Sequence, residues 1–272
     1  MKLASFVAAV GTLLMCGAAA AADLHPIVEV QSGYLFGAAS NGKWIKADEA
    51  AKALPDETTY QVYGLTQSLS EAKGSNPKPS EGDVCSDVLT VSLSPKPDKG
   101  VIALAAPWNA LPRKPRIADT TQQVYVDAVS DFLKRKGIEQ PKVKIESILR
   151  VDLDGDGGEE VLISATNYFC KDDSVPMRSP AGSYSMVLLR RVVVGKVQTQ
   201  LVEGEFHPQA CVRRDDSFDA PNVYKVIATL DLDGDGKMEI VVGSNYYEGE
   251  AITIYRCDPK KVEQVFSVFC GA

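Results

Sequence analysis

Two stretches of the chain place carboxylates at alternate positions, a pattern that can gather oxygen ligands around one cation. The first, ILRVDLDGDGGEEVLIS, runs from Ile148 to Ser164, and the second, IATLDLDGDGKMEIVVG, from Ile227 to Gly243. Each carries aspartates at relative positions one, three and five: Asp152, Asp154 and Asp156, then Asp231, Asp233 and Asp235. Each adds a glutamate at position nine, Glu160 or Glu239. Calcium is a hard cation that takes six to eight oxygen ligands at about 2.3–2.6 Å. Alternate aspartates in a tightly curled loop can aim at one point, and Gly157 and Gly236 let the backbone turn after the third. The carbonyl of Gly158 or Lys237 would add a ligand, and Glu160 or Glu239 would close the shell. Without a cation, four carboxylates this close repel. The expectation is two calcium sites.

The flanks say which elements hold these loops. Ile145–Val151 and Val161–Ala165 surround the first, and Tyr224–Leu230 and Ile240–Ser244 the second, all rich in β-branched and apolar residues. An EF-hand needs its glutamate at position twelve between two helices. Position twelve here is Ile163 or Val242, inside an apolar run. Each loop is therefore expected to join two strands.

This strand, DxDxDG, strand pattern, carried by VDLDGDGGEEVLIS and LDLDGDGKMEIVVGS, resembles the FG-GAP/VCBS-type repeat, the calcium loop of integrin-like β-propeller blades. The resemblance implies calcium in each loop and a β-rich scaffold, with the six aspartates as ligands. The whole chain also resembles exported bacterial proteins of unknown function that carry a pair of such loops. Phe-Gly and Gly-Ala-Pro signatures are not evident. Two loops 79 residues apart are too sparse for a regular array of blades, and seven blades do not fit this length. The expected fold is mainly β with minor α: antiparallel β repeats resembling partial β-propeller blades.

Elsewhere the pattern is plainer. Thr58–Leu65 alternates like a strand, Asp87–Ser94 reads as another, and Ala47–Leu54 could form a short helix. Ser75–Gly82, with Pro77 and Pro79, reads as a loop, and Trp108–Pro115 as a connector. One amphipathic helix is expected near 121–136. Thr120 would cap it, Gln123 would complete a capping box, Tyr125, Val129, Phe132 and Leu133 would share a face, and Gly137 would end it. The division suggested is an N-terminal β-rich region, 23–112, and a C-terminal region, 113–272, unless both form one continuous domain.

The leader and cysteines speak to compartment. Lys2, the apolar run Phe6–Met15 and the small residues Ala18–Ala22 have the layout of a signal peptide over residues 1–22. Lipidation at Cys16 is the alternative, disfavoured by Met15 before it. A periplasmic or secreted location is expected, with no integral membrane segment once the leader is removed. Five cysteines remain, Cys85, Cys170, Cys211, Cys257 and Cys270, so at most two bridges can form within one chain. Spacing leaves the connectivity open; Cys170 with Cys211 is the first candidate.

The net charge of −7 and pI near 5.0 argue against a nucleic-acid partner. With Lys2 removed the net becomes −8, equal to the eight loop carboxylates, so the acidic excess resides numerically in two local sites. Neither a GxSxG string nor a close Cys–His pair marks a nucleophilic enzyme. The reading is a non-catalytic binding or interaction module for a protein or glycan partner. The alternative is a glycan-acting hydrolase using a pair drawn from Glu203, Glu205, Asp215 and Asp216. A domain of an adhesion or assembly system is a third possibility. Asn167, Tyr168 and Phe169, and Asn245, Tyr246 and Tyr247, follow the two loop strands; packing is favoured for them over a binding surface. Trp44 and Trp108 are expected to anchor the core, and His207 to lie on the surface.

Overall fold

The computed structural model describes residues 23–81, 85–168, 178–209, 221–258 and 261–271. The expected leader, Cys170, Cys211, Phe169, Asp215 and Asp216 lie outside these residues. The chain is mainly β. Its first part carries β1 (His25–Glu29), β2 (Leu35–Ser40), β3 (Lys43–Lys46), α1 (Ala47–Ala50), β4 (Thr58–Tyr63), β5 (Ser68–Gly74), β6 (Lys78–Pro79), β7 (Leu89–Thr90), β8 (Leu93–Ser94) and β9 (Ile102–Leu104). Then come β10 (Arg116–Ala118), α2 (Gln123–Arg135), β11 (Ile145–Val151), β12 (Glu160–Thr166), β13 (Ser183–Val193) and β14 (Lys196–His207). The last part is β15 (Val223–Leu230), β16 (Glu239–Tyr246), β17 (Gly249–Asp258) and β18 (Lys261–Gly271).

These strands build three main antiparallel sheets. The N-terminal sheet has the order β3-β2-β1-β9-β4-β5-β8. The first repeat sheet is β10-β11-β12-β13-β14, and the second is β15-β16-β17-β18. Each repeat thus contains a four-strand meander of the blade kind, and its acidic loop joins the first two strands. The register at the loop mouth is the same in both: Val151 pairs with Glu160, and Leu230 with Glu239. Glu160 and Glu239 are therefore the first residues of the return strands, one position earlier than expected from the apolar runs.

The first repeat sheet is buried on both faces. Leu149, Leu162 and Leu189 join the largest core cluster, while their neighbours Ile148, Ile163 and Leu188 join the cluster under α2. That is why these strands read as unbroken apolar runs and do not alternate. The largest cluster also takes Ile27 and Leu104 from the N-terminal sheet and Val226, Leu230 and Ile240 from the second repeat. Strand β15 reaches the first repeat by polar contacts too. Val226 N–H donates to Ser164 Oγ at 3.1 Å, and Tyr224 N–H to Ser185 Oγ at 2.8 Å.

Helix α2 buries Tyr125, Val129, Phe132 and Leu133 as the periodicity requires. It ends in a Schellman motif: Gly137 at φ +88° donates to Lys134 O, and Ile138 N–H to Leu133 O, each at 3.0 Å. Its start differs from expectation. The Asp119 carboxylate takes Thr121's N–H and hydroxyl, holding 119–121 in a turn, and Gln122 becomes the N-cap with no side-chain cap bond. The expected strand Asp87–Ser94 is likewise divided. Val91 N–H turns to Gly33 O and Ser92 N–H to Ser75 Oγ, so β7 pairs with β6 and β8 with β5. Lys78–Pro79, expected as loop, is the partner strand. Among the described residues, no helix is long and apolar enough to cross a membrane.

Candidate metal centre

The two acidic loops fold alike, bond for bond. In the first, Asp152 Oδ1 accepts the Gly155 N–H at 2.7 Å and Oδ2 the Gly157 N–H at 3.1 Å. Asp231 does the same with Gly234 at 2.8 Å and Gly236 at 3.1 Å. Asp154 and Asp233 each accept from the aspartate two residues on, at 3.2 Å. Asp156 accepts from Gly158 at 2.6 Å, and Asp235 from Lys237 at 2.7 Å. Glu160 accepts the Leu153 N–H and Glu239 the Leu232 N–H, both at 2.8 Å. The fold needs a left-handed residue twice per loop. Gly155 and Gly157 have φ of +81° and +90°, and Gly234 and Gly236 +77° and +84°.

This curl brings carboxylates together. Oxygens of Asp152, Asp154 and Asp156 lie within 4.8 Å of one another, as do those of Asp231, Asp233 and Glu239. Gly158 and Lys237, expected to offer carbonyls, are seen here through their N–H groups. The neighbouring Glu159 is turned away. Arg116 and Arg150 hold it at 2.7 and 3.0 Å, and their guanidinium groups keep its carboxyl below the usual range.

The second loop is the more buried. Glu239 is only 1% exposed and Asp231 5%. Burial first, and then the charges of Asp233, Asp235 and Asp231, push the Glu239 carboxyl well above its ordinary range. Burial also raises Asp231 and Asp233, and Glu160 in the first loop. A set of hard oxygen donors with excess negative charge fits a hard divalent cation.

The connector supplies what sequence reasoning missed. Trp108 Nε1–H donates to Asp231 O at 2.9 Å, and its ring covers Gly234, where an added Cβ would stand 3.2 Å away. Asp231 N–H in turn donates to Ala110 O at 2.8 Å. Trp108 is thus an anchor of the second loop as well as of the core. Arg113 lies against both loops: Nε donates to Asp152 O at 2.5 Å, and Nη2 to Leu153 O at 3.1 Å and Gly236 O at 2.7 Å. Nothing in the local sequence marks Arg113, because its partners stand 39, 40 and 123 residues away.

Residues 224–255 match the FG-GAP repeat. The FG-GAP match covers β15, the second acidic loop, β16 and most of β17, and points to a β-propeller-like binding module. The first copy lies outside the FG-GAP match but repeats its geometry. No curated protein and no solved structure matches the chain.

The other expected site residues have structural partners. Glu203 and Glu205 share a face of β14. Glu203 accepts the Tyr255 hydroxyl, and Glu205 the Asn222 N–H at 2.7 Å. Both carboxylates thereby tie the first repeat to the second. His207 is not a surface residue. Its side chain is 15% exposed and packs edge-on against Tyr168 at 6.0 Å, near Glu205. Tyr168 is buried and Asn167 bonds Tyr184 N–H and Gly182 O, so both pack. Tyr246 stacks on Phe269 at 5.8 Å, while Tyr247 is exposed. Trp44 meets Phe266 edge-on at 5.5 Å against the largest core cluster.

Proposed function

We propose that this is an exported calcium-binding protein, a non-catalytic binding or interaction module for a protein or glycan partner, with two structural calcium ions. The observation that carries the reading is Glu239: a carboxylate 1% exposed, gathered with Asp231 and Asp233 and repelled by the loop's aspartates. Such a group is costly to bury charged unless a cation accompanies it. Asp152, Asp154, Asp156 and Glu160 would hold one ion, and Asp231, Asp233, Asp235 and Glu239 the other, with the Gly158 and Lys237 carbonyls as further ligands. Each ion would supply positive charge that ties a loop to its two strands. The residues themselves position the carboxylates through the shared N–H bonds.

Magnitude favours a structural role. Extracellular calcium modules bind at about 10⁻⁴ to 10⁻³ M. At about 1 mM calcium and a Kd of about 0.1 mM, each site adds roughly 1.4 kcal/mol, so two add about 3 kcal/mol. That is a large share of a typical total of about 5–15 kcal/mol. Thermal melts in calcium and in chelator test this. The midpoint is expected to rise with calcium, and an unchanged midpoint would sink the reading.

A further inference from the structure

The two acidic loops, far apart in sequence, touch through their backbones: Met238 N–H, at the end of the second, donates to Leu153 O in the first at 2.8 Å. The same carbonyl accepts from Arg113, whose guanidinium also holds Asp152 O and Gly236 O. We propose that Arg113 couples the two loops so that they fill with calcium cooperatively; this rests on the calcium reading above.

The held peptides are those that shape the sites. Asp152 gives its carbonyl to Arg113 and its carboxylate to the N–H groups of Gly155 and Gly157. Leu153 gives its carbonyl to Arg113 and its N–H to Glu160. Gly236 gives its carbonyl to Arg113 and its N–H to Asp231. A cation that draws in the carboxylates of one loop fixes these peptides, and so fixes the guanidinium. An arginine side chain has many rotamers to lose, and its planar fork loses less freedom per bond formed. The first ion therefore orders Arg113, and the second loop closes against a group already in place. Ordering shared between two sites gives positive coupling without a large movement. Repulsion between two bound cations acts the other way, but added salt screens it.

Arg113 also meets the first loop more closely than the second. Its Nε stands 4.0 Å from Asp152 Oδ1, and an added Cβ at Gly155 would come within 3.3 Å of Nη1. The weaker hold on the second loop is a single carbonyl, Gly236 O. Lysine would offer all its donors from one nitrogen and could not hold Asp152 O from one position and Leu153 O and Gly236 O from another, as Nε and Nη2 do.

The test is calcium chloride titration of the full chain by calorimetry at about 0.15 M and 0.5 M salt. Four proteins are compared: the natural chain, D154N/D156N, D233N/D235N, and Arg113→Met. The two loop variants leave Arg113 untouched, so the coupling stays testable even if Arg113→Met folds poorly; melts in chelator report that. The natural chain is expected to bind two ions. Removing either loop should weaken the other about tenfold, within the usual span of coupling. Arg113→Met should still bind two ions, independently and at the weaker affinity. If each remaining loop keeps the affinity it has in the natural chain, the coupling is overturned. If the loop variants show coupling and Arg113→Met keeps it, Arg113 is not the carrier. If the natural chain binds no calcium, the site reading itself fails, a result distinct from two ions binding independently.

Discussion

Glu239 and Glu205 are both carboxylates that burial pushes upward, but they sit in different company, so substitution of the first should respond to calcium and of the second to pH. Glu239 faces Asp231, Asp233 and Asp235, and accepts the Leu232 N–H. In chelator, Glu239→Gln removes a buried charge and keeps an oxygen for Leu232, so the variant should melt at or above the natural chain, by up to about 1 kcal/mol. With calcium present the order should reverse, because the variant forgoes about 1.4 kcal/mol of binding in that loop. Paired melts with and without calcium check this crossing. Glu205 faces Tyr168, Tyr224, His207 and Asn222. Burial is the main cause of its upward shift, opposed by the Asn222 and Tyr168 bonds and by His207. A carboxyl raised in the folded state contributes stability that is fully present below its unfolded pKa. That contribution is lost as pH rises through the folded value. Glu205→Gln should therefore raise the melting midpoint by a few degrees at neutral pH, and the gain should shrink toward the ordinary carboxylate range. A midpoint difference that does not change with pH would refute the assignment.

At the scale of the element, the loop glycines fall into two kinds. Gly157 and Gly236 have open space around an added Cβ, so only their left-handed φ opposes substitution. Gly155 and Gly234 have the same φ and a neighbour as well: Arg113 at 3.3 Å and the Trp108 ring at 3.2 Å. Alanine at 157 or 236 should cost about 1–2 kcal/mol. Alanine at 155 or 234 should cost more, and Gly234→Ala most, since an indole ring yields less readily than the end of an arginine. Urea unfolding in chelator would rank the four, and equal losses would show that the connector does not press on the loops. This contrast marks how far the sequence was legible. The aspartates at alternate positions and the strands beside them are local, and so is the 3.6-residue stripe of Tyr125, Val129, Phe132 and Leu133 on α2. Each is written within twenty residues or so of chain. The residues that clasp the loops are not local. Trp108 meets Asp231 across 123 residues, and Arg113 sits in a proline-rich connector with no periodicity to reveal its partners. The start of α2 was misplaced for a related reason: Asp119 competes for Thr121, and nothing in a capping pattern shows which bond wins.

At the scale of the molecule, the last strand is fastened to the N-terminal part. Cys85 and Cys270 form a disulfide with a Cα separation of 5.6 Å across 185 residues of sequence. Spacing left this pairing open; the candidate Cys170–Cys211 lies outside the described residues, and Cys257 is free. The bridge fastens β18, the last strand of the second repeat, to the N-terminal part. Phe266 of β18 also packs on Trp44 and closes over Gly37, where an added Cβ would stand 2.9 Å from its ring. The N-terminal sheet and the second repeat are thus held together by a covalent bond and by part of the largest core cluster. Closing a loop of 185 residues is worth about 5 kcal/mol in the chain-entropy account, and measured bridges more often give about 2–4 kcal/mol. The variant C85S/C270S should lose stability in that range. The acidic loops lie at the β11–β12 and β15–β16 turns, against the connector, and share no residue with the bridge. Effects at sites without common partners add to within about 0.5 kcal/mol. Calcium should therefore raise the stability of C85S/C270S by the same amount as that of the natural chain, read from urea unfolding with and without calcium. A calcium effect that vanished with the bridge would mean that the second repeat needs its covalent tie to present a formed loop. The core shared by all three sheets would then be too weak to hold the repeat in place alone.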